Sequence, residues 1–286
     1  MAALVSGLDE LDINSKQADF FITHMHADHA GLVSALAGGG AKIYFGRADA
    51  DIIRSTTPER WDRLIESARQ CGFPEQEVER AVGNHPGRRY SPTDSSLSFQ
   101  FVKDGDTIRV GDCQFECIET PGHTAGHVCL YEPGRKLLIC GDHILFDITP
   151  NITLSMEEWN PLKEYLLSLD KVYNLDVELV LPGHRSLFKN HRGRIQELKE
   201  HHRARLAEVV SILGRGDQNA FQVASQMTWD IGYKSWDMFP PAQKLFAFGE
   251  AMAHLKYLEE EGKVGWRMER GKIVFFIIRE QKGGRK

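Results

Sequence analysis

The apolar positions of the first 190 residues fall into short runs broken by turn residues. "ADFFITH" and "KIYFG" read as buried strands. Between about 48 and 85 the pattern becomes helical. Pro58 sits at a first helical position after Thr57, and Pro74 does the same for a second helix. Five strand-like runs follow in quick succession: "LSFQFV", "DTIRV", "CQFECIET", "HVCLYE" and "KLLIC". Turns with Gly105, Gly111 and Gly134 separate them, which predicts antiparallel hairpins. A helix over about 157–172 and a strand, "VELVLPGH", complete this half.

The period changes after about residue 190. Ile195, Leu198, His202, Leu206, Val209 and Leu213 recur at helical spacing and predict one long amphipathic helix. A short helix is expected around "NAFQVASQM". Another carries Leu245, Phe248, Met252, Leu255 and Leu258 and stops at Gly262. "VGWRMERGKIVFFII" then reads as two strands around a Gly271 turn. Three helices and a hairpin make a winged-helix-like pattern. The expected division is therefore 1–190, with a helical insertion at 48–95, and a small α+β domain at 191–286.

Composition narrows the class. Hydrophobic content of 42% and charged content of 26% are ordinary for a globular protein. No apolar stretch approaches a membrane span, and the N-terminus lacks the basic start and apolar core of a signal peptide. Five cysteines (71, 113, 117, 129, 140) without a C-x-x-C pair read as free thiols in a reducing cytoplasm. Residues 1–190 carry 18 Lys/Arg against 28 Asp/Glu, and residues 191–286 carry 17 against 12. Bound cations would offset the acidic half. The mildly basic half falls short of a nucleic-acid signature.

The candidate chemistry is concentrated in "THMHADH" (23–29), directly after the first strand. Three further loops repeat the theme: "TPGHTAGH" with His123, "CGDH" with Asp142 and "LPGH" with His184. Neutral imidazole and carboxylate suit a borderline ion such as zinc. An extended stretch would put His24, His26 and Asp28 on one side, and a tight turn would send His29 elsewhere. The glycines before His123, Asp142 and His184 would let the backbone approach closely. His127 reads as a packed neighbour of the ligands and His143 as loop support. His201 and His202 read as helix core or surface, and Cys140 as a small apolar residue.

These four motifs, in this order, resemble the metallo-β-lactamase fold superfamily from about residue 18 to 187. The resemblance implies an αββα sandwich. It also implies that His24, His26 and His123 bind one metal, that Asp28, His29 and His184 bind a second, and that Asp142 bridges them. "GDHILFDITPNI" and "EHHRARL…AHLKYLEEEGKV" are similar to the beta-lactamase-like-protein-2 group, which appends a winged-helix-like domain. Here only about 17 residues precede the histidine-bearing strand and "LVSGLDELDI" reads as a helix, so the leading strands expected of the family are absent.

The implied activity is hydrolysis by a hydroxide shared between two zinc ions (iron or manganese being alternatives), with Asp142 and Asp28 as catalytic carboxylates. Thioesters and other small ester-like acyl compounds lead as substrates. A single-stranded RNA endonuclease is the second reading, and a nucleic-acid-binding regulator with a vestigial metal site the third. Arg88 and Arg89 are candidates to meet an anionic group on the substrate. RNA and a second copy of the chain stay open as partners. The C-terminal domain is expected to pack, dimerise or gate the site; no Arg-rich recognition helix is visible.

Overall fold

A computed structural model of the chain describes residues 2–55, 57–90, 97–154, 159–230 and 232–279. In chain order the first elements are α1 (Ala2–Glu10), β1 (Phe20–Ile22), α2 (Ala27–Ala30), α3 (Val33–Leu36), β2 (Ile43–Gly46) and α4 (Arg47–Arg54). Next come α5 (Pro58–Gln70), α6 (Glu75–Gly83), α7 (Pro86–Tyr90) and β3 (Phe99–Val102). Strands β4 (Thr107–Val110), β5 (Cys113–Glu119), β6 (Val128–Glu132) and β7 (Leu137–Gly141) follow. Then α8 (Pro161–Tyr173) leads into β8 (Leu179–Pro182). The chain ends with α9 (His191–Leu213), α10 (Ala220–Gln226), α11 (Pro241–Glu260), β9 (Val264–Glu269) and β10 (Lys272–Ile277).

The contacts divide the chain into two compact units. The first holds residues 1–57, 85–150 and 164–196. It contains a three-stranded sheet, β1-β2-β3, and a five-stranded sheet, β4-β5-β6-β7-β8. Strands β4 to β7 run antiparallel as the glycine turns predict, and β8 joins β7 in parallel. The hairpin expectation fails at the first run of the series. β3 pairs in parallel with β2 in the other sheet, so the loop after it crosses between layers.

Alternation along the strands sorts side chains between layers. Phe20, Ile22, Ile43 and Phe45 cluster with Ala30, Val33 and Ala50 of the short helices. Phe21 and Tyr44, one residue out of step, pack instead with Val102, Cys117, Val128 and Leu130, drawn from both sheets. Among the described residues no strand precedes β1, which lies at the edge of its sheet. "LVSGLDELDI" is helical over most of its length, as α1.

The second unit holds residues 58–84, 151–163 and 197–286. Residues 58–84, expected as an insertion of the first domain, thus group with the C-terminal segment. The reason is a shared core. Phe73 and Val78 pack with Val209, Ile212, Val223, Phe248, Leu255 and Phe275. A capping box at Asn219 starts α10, and Gly262, at φ +68°, follows α11. β9 and β10 pair antiparallel around Arg270 and Gly271, both at positive φ. In chain order α9, α10, α11 and the β9–β10 hairpin follow one another as the periodicity predicts. Among the described residues, no helix is long and apolar enough to cross a membrane.

Candidate metal centre

Every candidate ligand lies just past the C-terminal end of a strand in the first unit. β1 leads into His24 and His26, β5 into His123, β7 into Asp142, and β8 into His184. Strand ends give the side chains a rigid base, while the loops beyond leave room for a ligand. The Val128 N–H donates to Thr23 O at 2.9 Å, tying the end of β1 to the start of β6.

The expectation for "THMHADH" needs one correction. The backbone is extended only as far as His26, which stands at the N-terminal boundary of α2. Asp28 and His29 are on that short helix, so the turn separates them together from His24 and His26. The motif therefore divides two and two.

Three sets of side chains bring one ligand atom each within 4.8 Å of one another: His24, His26 and His123; His24, His29 and Asp142; and Asp28, His29 and His184. His24 Nε2 and His26 Nδ1 are 3.1 Å apart, and His29 Nε2 and His184 Nε2 are 3.2 Å apart. Two nitrogens bound to one tetrahedral zinc ion would be about 3.3 Å apart. Asp142 lies between the sets. Its Oδ1 is 3.4 Å from His29 Nε2, and its Oδ2 is 3.7 Å from His123 Nε2 and 3.5 Å from His184 Nε2. Asp28 Oδ2 is 3.1 Å from His184 Nε2.

The two sides differ in access. His24 and His123 are buried, whereas the side chains of His184 and Asp28 are 41% and 60% exposed. Burial, reinforced by neighbouring imidazoles, holds His24 and His26 well below the usual histidine range. Both are neutral near pH 7 and have a lone pair to give. At Asp142 burial pushes the carboxyl pKa up. The hydrogen bond from His29 and the charges of His123, His29 and His184 outweigh it, leaving a net lowering and an ionised group.

The glycines confirm how closely the loops approach. A Cβ on Gly183 would lie 2.6 Å from both Asp142 Oδ1 and His29 Cε1. One on Gly141, at φ +47°, would meet Thr23 Oγ1 at 2.7 Å and His127 Nε2 at 2.9 Å. Imidazoles converging on a carboxylate, at nitrogen separations close to those around one ion, are a donor set that fits two divalent cations.

The surrounding residues fall into place around this set. His127 is fully buried and stacks on His24 with ring centroids 5.3 Å apart, its Nδ1 2.7 Å from Thr120 Oγ1. His143 is buried, and its carbonyl accepts from the Tyr165 hydroxyl at 2.9 Å. Thr23 Oγ1 lies 3.1 Å from His24 Nδ1. Neither threonine stands out in the sequence; for Thr23 alone, a hydroxyl directly before a candidate ligand histidine is the available signal. Arg88 is exposed on α7, which packs against α2. The Arg89 side chain, and residues 91–96 of the expected insertion, lie outside the described residues. His202 is buried in the second unit, with Nδ1 3.2 Å from His254 Nε2.

A family profile described as "Metallo-beta-lactamase superfamily" matches residues 21–184, more than half of the chain. The chain belongs to the metallo-beta-lactamase superfamily. It is 28% identical over 167 residues to a beta-lactamase-like protein 2 homolog of Caenorhabditis elegans, covering 58% of this chain and 52% of the relative. It is also 28% identical over 187 residues to the human acyl-coenzyme A thioesterase MBLAC2, covering 58% of this chain and 55% of that protein. The chain thus spans about half the length of these curated relatives. Among solved structures, a metallo-beta-lactamase family protein from Thermus thermophilus superposes with a TM-score of 0.76 at 28% identity. That match covers 97% of this chain and 85% of the other.

Proposed function

We propose that the chain is a dinuclear metal-dependent hydrolase acting on thioesters, with acyl-coenzyme A the substrate class to test first. The observation that carries this reading is the arrangement of seven donors into a buried group and a solvent-facing group on either side of Asp142. His24, His26 and His123 would hold one cation, Asp28, His29 and His184 the other, and Asp142 both. When bound, two such cations supply Lewis acidity, activating water and stabilising the charge that builds on the carbonyl under attack. Zinc is the first candidate, with iron and manganese as alternatives.

The chain's own groups supply positioning and proton movement. The open side at Asp28 and His184 admits substrate, while the buried histidines exclude water from the other side. Ionised Asp142 takes the proton of the attacking water at Oδ2. As the carbon–sulfur bond breaks it returns that proton to the departing sulfur, giving a carboxylic acid and a free thiol. Asp28, beside His184, is the second carboxylate within reach. No serine or cysteine nucleophile is needed.

The thioester reading is supported by the thioesterase relative, which this chain matches over 58% of its length. It is supported also by exposed Arg88 beside α2, where a guanidinium could meet a phosphate. The deciding experiment is a parallel hydrolysis screen of acyl-coenzyme A, acyl-glutathione, a lactone and single-stranded RNA, with metal analysis of the purified protein. Acyl-coenzyme A turnover that disappears in Asp142→Ala is the expected result. Turnover surviving that substitution would refute the mechanism. RNA cleavage with steep salt dependence, in place of thioester turnover, would move the substrate to nucleic acid. Fewer than one equivalent of bound metal would sink both enzyme readings and leave the nucleic-acid-binding regulator.

A further inference from the structure

We infer that Asp49 is a positioning residue that fixes the His24–His26 loop and the His123 loop against each other. Asp49 lies in the first turn of α4 and is fully buried. Its Oδ2 accepts from the Met25 N–H at 2.8 Å and from the Thr124 hydroxyl at 2.7 Å. Its Oδ1 accepts from the Gly126 N–H at 2.6 Å. Met25 stands between His24 and His26, and Thr124 directly follows His123. One carboxylate therefore grips, at the backbone or the adjacent side chain, both segments that supply the buried donor group.

The packing leaves no slack. A Cβ on Gly126 would meet the backbone N of Asp49, and one on Gly46, at the start of α4, would meet the Gly126 carbonyl. Substituents at either glycine would push α4 off the loop. The helix N-terminus is also a favourable end for a buried carboxylate. A carboxylate suits the place because these three groups are all donors. An amide of the same shape accepts through one oxygen only and turns an N–H₂ toward at least one N–H or O–H.

The role is distinct from that of a general fold staple. Asp49 is not one of the seven candidate ligands, yet it sets the spacing between the pair on one loop and the third on another. This inference rests on the metal-centre reading, and the two fail in different ways. Zinc affinity by chelator competition and the visible spectrum of the cobalt-substituted protein are the readouts, beside the melting temperature of the metal-free form.

Asp49→Asn should weaken zinc binding about 10- to 100-fold and shift the cobalt spectrum. Thr124→Val, which keeps the shape and removes one donor, should weaken zinc about 3- to 10-fold and decides the matter if Asp49→Asn does not fold. Val223→Ala, buried in the second unit, serves as the stability control and should lower the melting temperature without moving zinc affinity or the spectrum. Folded Asp49→Asn or Thr124→Val with wild-type zinc affinity and cobalt spectrum would overturn the role of Asp49, whatever its melting temperature. A wild-type protein that binds no zinc, cobalt, iron or manganese would instead overturn the metal centre, and this inference with it.

Discussion

Replacing Gly183 with alanine tests the candidate centre from a residue that is not itself a ligand. The added Cβ would lie 2.6 Å from Asp142 Oδ1 and 2.6 Å from His29 Cε1, whereas ordinary contact begins at 3.4 Å. One or both side chains must therefore move by about 0.8 Å. A backbone shift would strain the hydrogen bond from the Gly183 N–H to Gly141 O, which is 2.7 Å long. Gly183 is not in the left-handed region, so alanine meets no backbone strain and the perturbation is steric alone.

Metal–ligand distances tolerate about 0.2 Å, so the cation shared by Asp28, His29, His184 and Asp142 should weaken by at least about tenfold. His24, His26 and His123 keep their places, so the cation they hold, which shares only Asp142 with the other, should weaken less. Elemental analysis after dilute chelator treatment should find close to one equivalent in the variant and close to two in the wild type. Gly83→Ala, where an added Cβ meets nothing within 4 Å, should leave both equivalents in place. Two equivalents bound at wild-type affinity in Gly183→Ala would refute the placement of His29 and Asp142 as ligands.

Acid should destabilise the metal-free protein through its buried histidines. Burial lowers His254 to about 3 and holds His202 well down, so the unfolded chain takes up protons that the folded chain refuses. Their contribution is complete above pH 6.5 and is lost as pH falls from there toward 3, by up to about 1.4 kcal/mol per pH unit for each histidine. Urea melts at pH 7.5 and 5.5 should show this, and His254→Gln should flatten the difference; an unchanged slope would remove His254 from the account. Zinc at about a thousandfold its dissociation constant should stabilise the fold by roughly 4 kcal/mol, and chelation should reverse that gain together with any hydrolysis. A melting curve indifferent to both would contradict a folded-state metal site. Burial pushes the Cys117 and Cys129 thiols up to about 12 and Cys140 well above its usual value. Iodoacetamide at pH 7.5 should therefore leave hydrolysis intact and modify at most Cys113, which is half-buried. Inactivation without metal loss would bring a thiol into the mechanism.

Much of this protein could be read from local pattern. The strands, the long helix from His191, the short helix around Ala220–Gln226, the cap at Gly262 and the turn at Gly271 depend on nearest neighbours along the chain, so periodicity and turn chemistry reveal them. The seven candidate ligands were legible for the same reason, being short motifs just past strand ends. Three matters depended on contacts between distant residues. The run at Phe99–Val102 looks like the first strand of a hairpin series, but its partner is β2, because pairing is chosen by neighbours in space. The helices of residues 58–84 look like a local insertion, yet their apolar faces complete a core with residues beyond 200. Asp49 reads as an ordinary polar residue near a helix start. Only when β1, α4 and the loop after β5 meet does its buried carboxylate find three donors from two separate loops. The sequence by itself determined which side chains could bind metal. The tertiary structure decided how they divide around Asp142 and what holds them there, because those relations exist only between segments that the chain keeps far apart.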